Sequence, residues 1–222
     1  MQTDYLGIHE VQYQKLRACG KPWTVDAADI VKCVVEAGME CHIDRHGKVL
    51  ELGCGDGNVS LALAERGYDI QGIDISPTAI SWANEKAGKK GFKADFKVGN
   101  VLKLPYDSDY FDVVIDAHCF HCIIGEDRKL FLANALKTLR PDGLFIVMTM
   151  CNDPVDTQMA EIFDQKTRCC IKNNVAGRYF GLPHEILFEI TAAGFNVFFW
   201  KIDRAHAQNI QDELIVWATK SR

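Results

Sequence analysis

The stretch VLELGCGDGN, Val49–Asn58, decides the fold, because an apolar strand runs there into three glycines and opens directly onto a helix. Glycines are needed at such a point, since the chain must turn tightly and let a ligand touch bare backbone. The helix, predicted to run from Asn58 to about Arg66, begins with unpaired N–H groups that can bind ligand oxygens. The stretch therefore predicts a ligand-binding turn after the first strand of an α/β domain.

Around this stretch, apolar runs alternate with amphipathic helical patterns, as in a parallel sheet covered by helices. The last two predicted strands have no helix-length segment between them, so they should pair antiparallel. These patterns predict an α/β, Rossmann-like fold: a seven-stranded sheet, mostly parallel, with an antiparallel C-terminal strand pair and helices on both faces. The predicted strands are 48–52, 69–73, 96–98, 112–115, 144–149, 195–202 and 213–219, and the predicted helices between them are 58–66, 76–87, 127–139 and 183–193.

The length of 222 residues suits one α/β domain over 1–222 and is too short for two. The segment 1–47 should be helical and form part of the pocket for a second substrate. Within it, Val25, Ala28, Val31, Val34 and Val35 give an apolar stripe that should pack on the sheet. The polar-mixed segment 151–182 is predicted to be a lid-like insertion with a helix over 158–168.

Composition narrows the class of protein. Apolar residues make up 48% and charged residues 25%, as in a globular protein, and no apolar run is long enough for a membrane span. The polar N-terminus lacks the pattern of a secretory signal, and nine scattered cysteines fit a reducing compartment, so a cytoplasmic location is expected. The net charge of −5 and the lack of a strong basic patch argue against a nucleic-acid partner.

Asp74 follows the second predicted strand, 17 residues after Gly57, about where dinucleotide-binding folds place an acid for ribose hydroxyls. The simpler interpretation is a carboxylate that caps the next helix. An NAD-dependent oxidoreductase would use the same layout, but the third glycine of its fingerprint would fall on Asn58. NAD is therefore the weaker alternative.

Residues 48–150 resemble the class I methyltransferases that depend on S-adenosylmethionine (SAM), within the group that includes ubiquinone/menaquinone-biosynthesis methyltransferases. VLELGCGDGN is similar to the first motif of that family and GIDIS (72–76) to its second. LPYDSDYFDVVI (104–115) and LRPDGLFIV (139–147) resemble the stretches that lead into its fourth and fifth strands. The resemblance implies methyl transfer from SAM to a small-molecule acceptor, with S-adenosylhomocysteine (SAH) as product. A non-catalytic SAM-binding or regulatory subunit stays the alternative.

The resemblance also implies which residues would hold the cofactor. Asp74 would bind the ribose hydroxyls, and Ile75 would pack against adenine. Asn100 stands where the family often has Asp, yet its side-chain oxygen can still accept a hydrogen bond. The remaining implied contacts are Glu51, Gly53, Cys54, Gly55, Gly57 and Asp116 around the methionine part, and Val101 at the adenine edge.

The segment DAHCFHCIIGED, 116–127, would lie near the transferred methyl group in such a fold. Methyl transfer is an in-line displacement in which the protein positions the acceptor and, where needed, removes its proton. His118 and His121 are the general-base candidates, because imidazole titrates near neutral pH. His118 is preferred, since His121 falls where the family often has a structural histidine.

A second interpretation of this segment is a zinc site, in which His121 and Cys122 would be joined by Cys169 and Cys170 of the insertion. Such a site would require the insertion to fold over the segment, and adjacent cysteines seldom bind one metal. Free cysteines are often simply buried, so no metal is predicted.

The acceptor pocket should come from the N-terminal segment and the insertion. The lining candidates are Tyr13, Trp23, Arg178 and Tyr179, although each aromatic residue could equally belong to the core. The acceptor, its reacting atom and the oligomeric state stay open at this point.

Overall fold

The structure is a computed structural model that describes residues 5–21, 27–44, 46–204 and 211–220. No helix within these ranges combines the length and hydropathy needed to cross a membrane. The helices are α1 (Gly7–Ala18), α2 (Ala27–Glu40), α3 (Asn58–Ala64), α4 (Pro77–Lys90), α5 (Asp127–Thr138), α6 (Thr157–Glu161) and α7 (Pro183–Ala192), with a 3-10 turn at Phe120–Cys122. The strands are β1 (Lys48–Leu52), β2 (Asp69–Asp74), β3 (Ala94–Val98), β4 (Phe111–Ala117), β5 (Leu139–Met150), β6 (Phe163–Asp164), β7 (Cys169–Lys172), β8 (Val175–Tyr179), β9 (Phe195–Asp203) and β10 (Glu213–Lys220).

One seven-stranded sheet organises the fold, in the order β3-β2-β1-β4-β5-β10-β9. Strands β1 to β5 run parallel to one another, while β10 lies antiparallel between β5 and β9. The predicted Rossmann-like fold is thereby confirmed. From β1 the chain proceeds to one side of the sheet and from β4 to the other, so a crevice opens between the carboxyl ends of these two strands.

Apolar side chains of the central strands pack on both faces of the sheet. Because side chains alternate along a strand, Leu50 points into the cluster formed with α5 and α7, whereas Val49 points into the cluster formed with α2 and α3. The apolar stripe of α2 is confirmed at Val31 and Val34, but Ala28 is exposed. Val25 lies outside the described residues.

In the segment 151–182, the helix predicted over 158–168 is confirmed only up to Glu161, where α6 ends. Only α6 is helical there, and β6, β7 and β8 form a separate three-stranded antiparallel sheet. The turn between β7 and β8 contains Asn173 and Asn174, both with positive φ, 53° and 62°. Asparagine tolerates this left-handed backbone, and two such residues in a row are typical of a tight hairpin turn. The Asn-Asn pair is the sequence signal for this hairpin.

A buried arginine joins α5 to the segment after β4 and to α7. Arg128 is 4% exposed, and its Nε and Nη2 donate to the carboxylate of Glu189 on α7 at 2.6 to 3.1 Å. Its Nη1 donates to the backbone carbonyls of Phe120 at 2.8 Å and Ile123 at 3.3 Å. This one cation therefore fixes the turn that follows β4.

We expect Arg128→Met to lower the free energy of unfolding by about 3 kcal/mol, because it leaves a carboxylate and two buried carbonyls without their donor. Urea unfolding followed by circular dichroism measures the change. The matched control is Lys129→Met, the next residue, whose exposed side chain pairs with Glu126. The control should change stability by less than about 0.5 kcal/mol. Equal effects of the two substitutions would contradict this role of Arg128.

Candidate functional site

A cavity of about 640 Å³ opens at the carboxyl ends of β1, β2 and β4. This is where open α/β sheets bind their ligands, because the strand order reverses there. The wall also includes residues of α1, of β8 and of the start of β10. The sequence-predicted residues that line the cavity are Tyr13, Glu51, Gly53, Cys54, Gly55, Asp74, Ile75, Asn100, Val101, His118, His121 and Arg178. Lining residues that sequence reasoning missed include His9, Asp56, Met150, Gln211 and Glu213.

The glycine turn leaves bare backbone at the cavity wall. Gly53 and Gly55 have φ of 66° and 54°, in the left-handed region that favours glycine. A Cβ on Gly53 would lie 2.5 Å from Sγ of Cys119, and a Cβ on Gly55 would overlap the hydroxyl of Tyr13. Gly53 and Gly55 therefore form a narrow cradle with no room for a Cβ, because the side chains of Cys119 and Tyr13 already pack against them.

Asp74 joins the end of β2 to this turn. Its Oδ2 accepts a hydrogen bond from the backbone N of Gly55 at 2.9 Å, and its Oδ1 accepts one from that of Ser76 at 2.9 Å. The helix cap itself is Ser76, whose Oγ accepts from the backbone N of Ala79. Burial raises the pKa of Asp74, and the two backbone N–H groups oppose that rise. Each carboxylate oxygen retains a further lone pair for a ligand hydroxyl.

Further acidic side chains surround the turn. Glu51 is 3% exposed and accepts a hydrogen bond from the hydroxyl of Ser60. Burial raises the pKa of Glu51 to about 8, although the Ser60 hydrogen bond acts to lower it. Asp56 also lines the cavity, and its Oδ2 lies 2.7 Å from Nζ of Lys86. This end of the cavity is therefore suited to a cationic ligand.

Helix α1 crosses the start of α4 and is held there by Glu10. The Glu10 carboxylate accepts hydrogen bonds from the hydroxyls of Ser76 and Thr78, each at 2.6 Å. Burial works against ionisation, but these hydrogen bonds lower the pKa of Glu10 to about 2. Tyr13, one turn further along α1, reaches Gly55. Tyr13, a predicted residue of the acceptor pocket, lines the cavity with its hydroxyl against the glycine turn.

The edge predicted for adenine is partly apolar. Val101 is 7% exposed and Ile75 is half-buried, and both line the cavity. The side-chain oxygen of Asn100 accepts a hydrogen bond from the backbone N of Leu102 at 2.8 Å. That bond fixes the orientation of the Asn100 amide and leaves its second lone pair for a ligand.

His118 lies on the cavity wall directly after β4, and the next residue, Cys119, packs against Gly53 of the glycine turn. Nε2 of His118 lies 2.9 Å from Oε1 of Glu213, the first residue of β10. Burial acts to lower the pKa of His118, but the contact with Glu213 and the charges of Glu213 and Asp116 raise it above its ordinary value. Sequence reasoning missed Glu213 because nothing local connects positions 118 and 213.

His121 also lines the cavity and differs from His118 in its surroundings. It is 3% exposed, and its Nδ1 has no hydrogen-bond partner within the described part of the chain. The two rings lie 5.9 Å apart, centroid to centroid. Burial, with the charge of Arg178 next, lowers the pKa of His121 well below its ordinary value, so this imidazole is neutral at pH 7.

Asp116, predicted for the methionine part, is absent from the cavity wall. It is fully buried, and its Oδ1 accepts hydrogen bonds from the backbone N of Cys119 at 2.9 Å and of Phe120 at 2.8 Å. Burial raises the pKa of Asp116 to about 7, although both N–H groups oppose the rise. These contacts assign Asp116 to the turn that carries His118 and His121.

Three other predicted residues lie away from the cavity wall or outside the described ranges. A Cβ on Gly57 would lie 3.0 Å from Phe96, so that glycine allows α3 to approach β3. Tyr179 packs its ring on the guanidinium of Arg128, 4.3 Å from the ring centroid. Trp23 lies outside the described residues.

The cysteines considered for zinc are held by backbone groups. Sγ of Cys169 donates to the carbonyl of Thr167 at 3.3 Å, and Sγ of Cys170 to that of Met159 at 3.4 Å. Over residues 5–21, 27–44, 46–204 and 211–220, no group of three or more His, Cys, Asp or Glu side chains is arranged to hold a metal ion. All nine cysteines are free thiols.

Sequence comparison connects the chain to known methyltransferases. A family model described as "Methyltransferase domain" matches residues 43–206. A 2-heptyl-1-hydroxyquinolin-4(1H)-one methyltransferase of Mycobacteroides abscessus is 29% identical over 134 residues, 59% of this chain and 56% of the relative. A ubiquinone biosynthesis O-methyltransferase of Azorhizobium caulinodans is 29% identical over 151 residues, 68% of this chain and 59% of the relative. The chain thus spans less than two thirds of the length of these relatives.

Structure comparison finds the same fold. The 1,6-didemethyltoxoflavin-N1-methyltransferase of Burkholderia thailandensis, solved with 1,6-didemethyltoxoflavin and SAH bound, has a TM-score of 0.75 and 20% sequence identity. That match covers 100% of this chain and 91% of the other. A SAM-dependent methyltransferase of Methanosarcina mazei has a TM-score of 0.70 and 19% identity, over 82% of this chain and 96% of the other. At these identities the likeness concerns the fold alone.

We expect Gly55→Ala to lower the free energy of unfolding by about 1–2 kcal/mol, because the new methyl group needs a left-handed backbone and meets Tyr13. Chemical denaturation measures the effect. The matched control is Gly88→Ala in α4, where a Cβ would meet no atom within 4 Å. That control should keep or raise stability by up to about 1 kcal/mol, because alanine favours helix. Equal stability of the two variants would contradict the claim that position 55 requires glycine.

Proposed function

The chain belongs to the methyltransferase domain family, and from that premise we propose that it transfers a methyl group from SAM to a small-molecule acceptor. One observation carries this proposal. The glycine cradle with Asp74 and the residue His118 lie on the wall of one continuous cavity. A cofactor held by the glycine cradle and Asp74 would therefore present its reactive centre to an acceptor beside His118.

The residues of the cradle end fit SAM. Its methionine part is cationic at sulfur and at the amino group, and the wall there carries Glu51, Asp56 and Asp74. The Asp74 carboxylate has lone pairs left for the two ribose hydroxyls. Ile75 and Val101 offer apolar contact to adenine. The amino-acid tail would lie along the backbone of Gly53 and Gly55, which line the cavity, with the Tyr13 hydroxyl beside it.

When bound, SAM supplies an electrophilic methyl group: a lone pair on the acceptor bonds to the methyl carbon, and the C–S electron pair stays on sulfur. The chain's own residues position the acceptor and exclude water. His118 is the proposed proton acceptor. Arg178 and His121, on the same wall, would orient the acceptor. The segment 151–182, which contributes Arg178, would act as the lid.

The named relatives support a small-molecule acceptor, since one acts on a hydroxyquinolinone and another belongs to ubiquinone biosynthesis. The chain has a net charge of −5, and its charge pattern does not favour a nucleic-acid partner. A cytoplasmic location stays a prediction from composition.

Calorimetry with SAH tests the cofactor site. Asp74→Ala should weaken SAH binding at least about tenfold, because the ribose hydroxyls lose a charged acceptor. The matched control is Asp69→Ala, the exposed first residue at the opposite end of β2, which should bind SAH as the wild type does. Circular dichroism would confirm that both variants are folded.

Two outcomes of this calorimetry would count against the proposal. Binding of NAD without binding of SAH would favour the oxidoreductase alternative. Unchanged SAH affinity in Asp74→Ala would place the ribose elsewhere.

Because the pKa of Glu51 is raised, we expect SAM binding to release a proton at pH 7. With a pKa of about 8 the free carboxyl is mostly protonated, and a cation beside it favours the ionised form. Affinity should therefore rise with pH up to about 8 and level off above it. Calorimetry at pH 7 in buffers of different ionisation enthalpy measures the released proton. Glu51→Gln should abolish the release, whereas Glu65→Gln, at the exposed end of α3, should retain it.

A further inference from the structure

We propose that Glu213 is a positioning residue that holds His118 as the proton acceptor of the reaction, so that the methyl acceptor is a compound whose reacting oxygen or nitrogen carries a removable proton. This inference rests on the proposed function and deepens it. It goes beyond the family match, because it depends on a contact between the ends of β4 and β10 in this chain.

The first argument is the geometry of the pair. His118 follows β4, and Glu213 begins β10, with β5 lying between these two strands. Glu213 is paired with Met150 at the end of β5, so its side chain reaches across that end to His118. The 2.9 Å contact is an ion pair between Nε2 of the imidazole and Oε1 of Glu213, without the angle of a hydrogen bond. Nδ1 is therefore the ring nitrogen left for a compound in the cavity.

The second argument is the backbone of His118. Its φ is 72°, in a region that costs a residue with a Cβ about 1–2 kcal/mol. The surrounding structure imposes this conformation: the backbone N of His118 donates to the carbonyl of Met148 at 3.0 Å. The carboxylate of Asp116 holds the next two backbone N–H groups. Strain maintained by several contacts at a cavity wall points to a functional side chain.

The third argument is the charge around the ring. Glu213 on β10 faces His118 with negative charge, as Asp116 on β4 does when it is ionised, and Arg178 on β8 faces it with positive charge. His121 and His9 lie nearby and have lowered pKa values, so both are neutral at pH 7. The balance raises the pKa of His118. Of these histidines, His118 is thus the one that holds a proton most firmly.

The proton step then balances. The proton on the acceptor oxygen or nitrogen moves to Nδ1 of His118, and its bonding pair stays on the acceptor as the lone pair that takes the methyl group. The imidazolium so formed is neutralised by the Glu213 carboxylate. The His118 side chain is 24% exposed, so the proton can leave to solvent after the product departs. No oxidant, reductant or further reactant is needed.

An NMR titration of the His118 imidazole in the free protein tests the positioning role without any cofactor or acceptor. The signal is assigned by its loss in His118→Gln. The wild-type midpoint should lie above that of a free histidine, Glu213→Gln should lower it, and Glu213→Asp should restore part of the shift. The matched control is Asp203→Asn, the exposed partner of Glu213 on β9, which should leave the midpoint unchanged. An unaltered midpoint in Glu213→Gln would overturn the proposal.

Screening for an acceptor tests the second part of the proposal, that the acceptor carries a removable proton. For an acceptor with an O–H or N–H group, His118→Gln should lower kcat about 100-fold or more, with the affinity for SAH unchanged. Efficient turnover of an acceptor without such a proton, unaffected by either His118→Gln or Glu213→Gln, would refute the proposal. Failure of the wild type to bind SAH would instead refute the proposed function, since the His118–Glu213 coupling is measurable without it.

Discussion

The hydrogen bonds of the Asp74 carboxylate are the interaction on which the rest of the site depends. One oxygen holds the backbone N of Gly55 and the other that of Ser76, so one side chain joins the glycine turn to the start of α4. Glu10 binds the same helix start through Ser76 and Thr78, which brings α1 over the turn. The end of a single strand thereby sets the position of the cradle and of the helix that covers it.

Around that junction the cavity wall carries two chemical groups of side chains. Glu51 and Asp74 form the acidic group, and because burial raises both of their pKa values, a bound cation would favour their ionised forms. His118, His121 and Arg178 line the same cavity. The first group is suited to a cationic cofactor and the second to proton transfer and orientation of an acceptor, as the proposed methyl transfer between two bound molecules requires.

Local sequence patterns predicted the sheet and the glycine turn, because strand, turn and helix signals lie within about ten residues of one another. Within the insertion the predicted helix is too long, because the strands after α6 depend on a hairpin turn at Asn173 and Asn174. Asp116 precedes His118 in the same segment, yet its buried contacts with backbone N–H groups depend on how that segment turns. The partner of His118 is Glu213, and a contact across 95 positions of the chain leaves no local trace.

A crystal structure of the chain with SAH tests the central claim most directly. The account predicts SAH in the crevice between β1 and β4, with its ribose hydroxyls on the Asp74 carboxylate, its amino-acid tail along Gly53 and Gly55, and its sulfur facing His118. Occupation of that crevice by protein side chains, or SAH bound at another place, would contradict it.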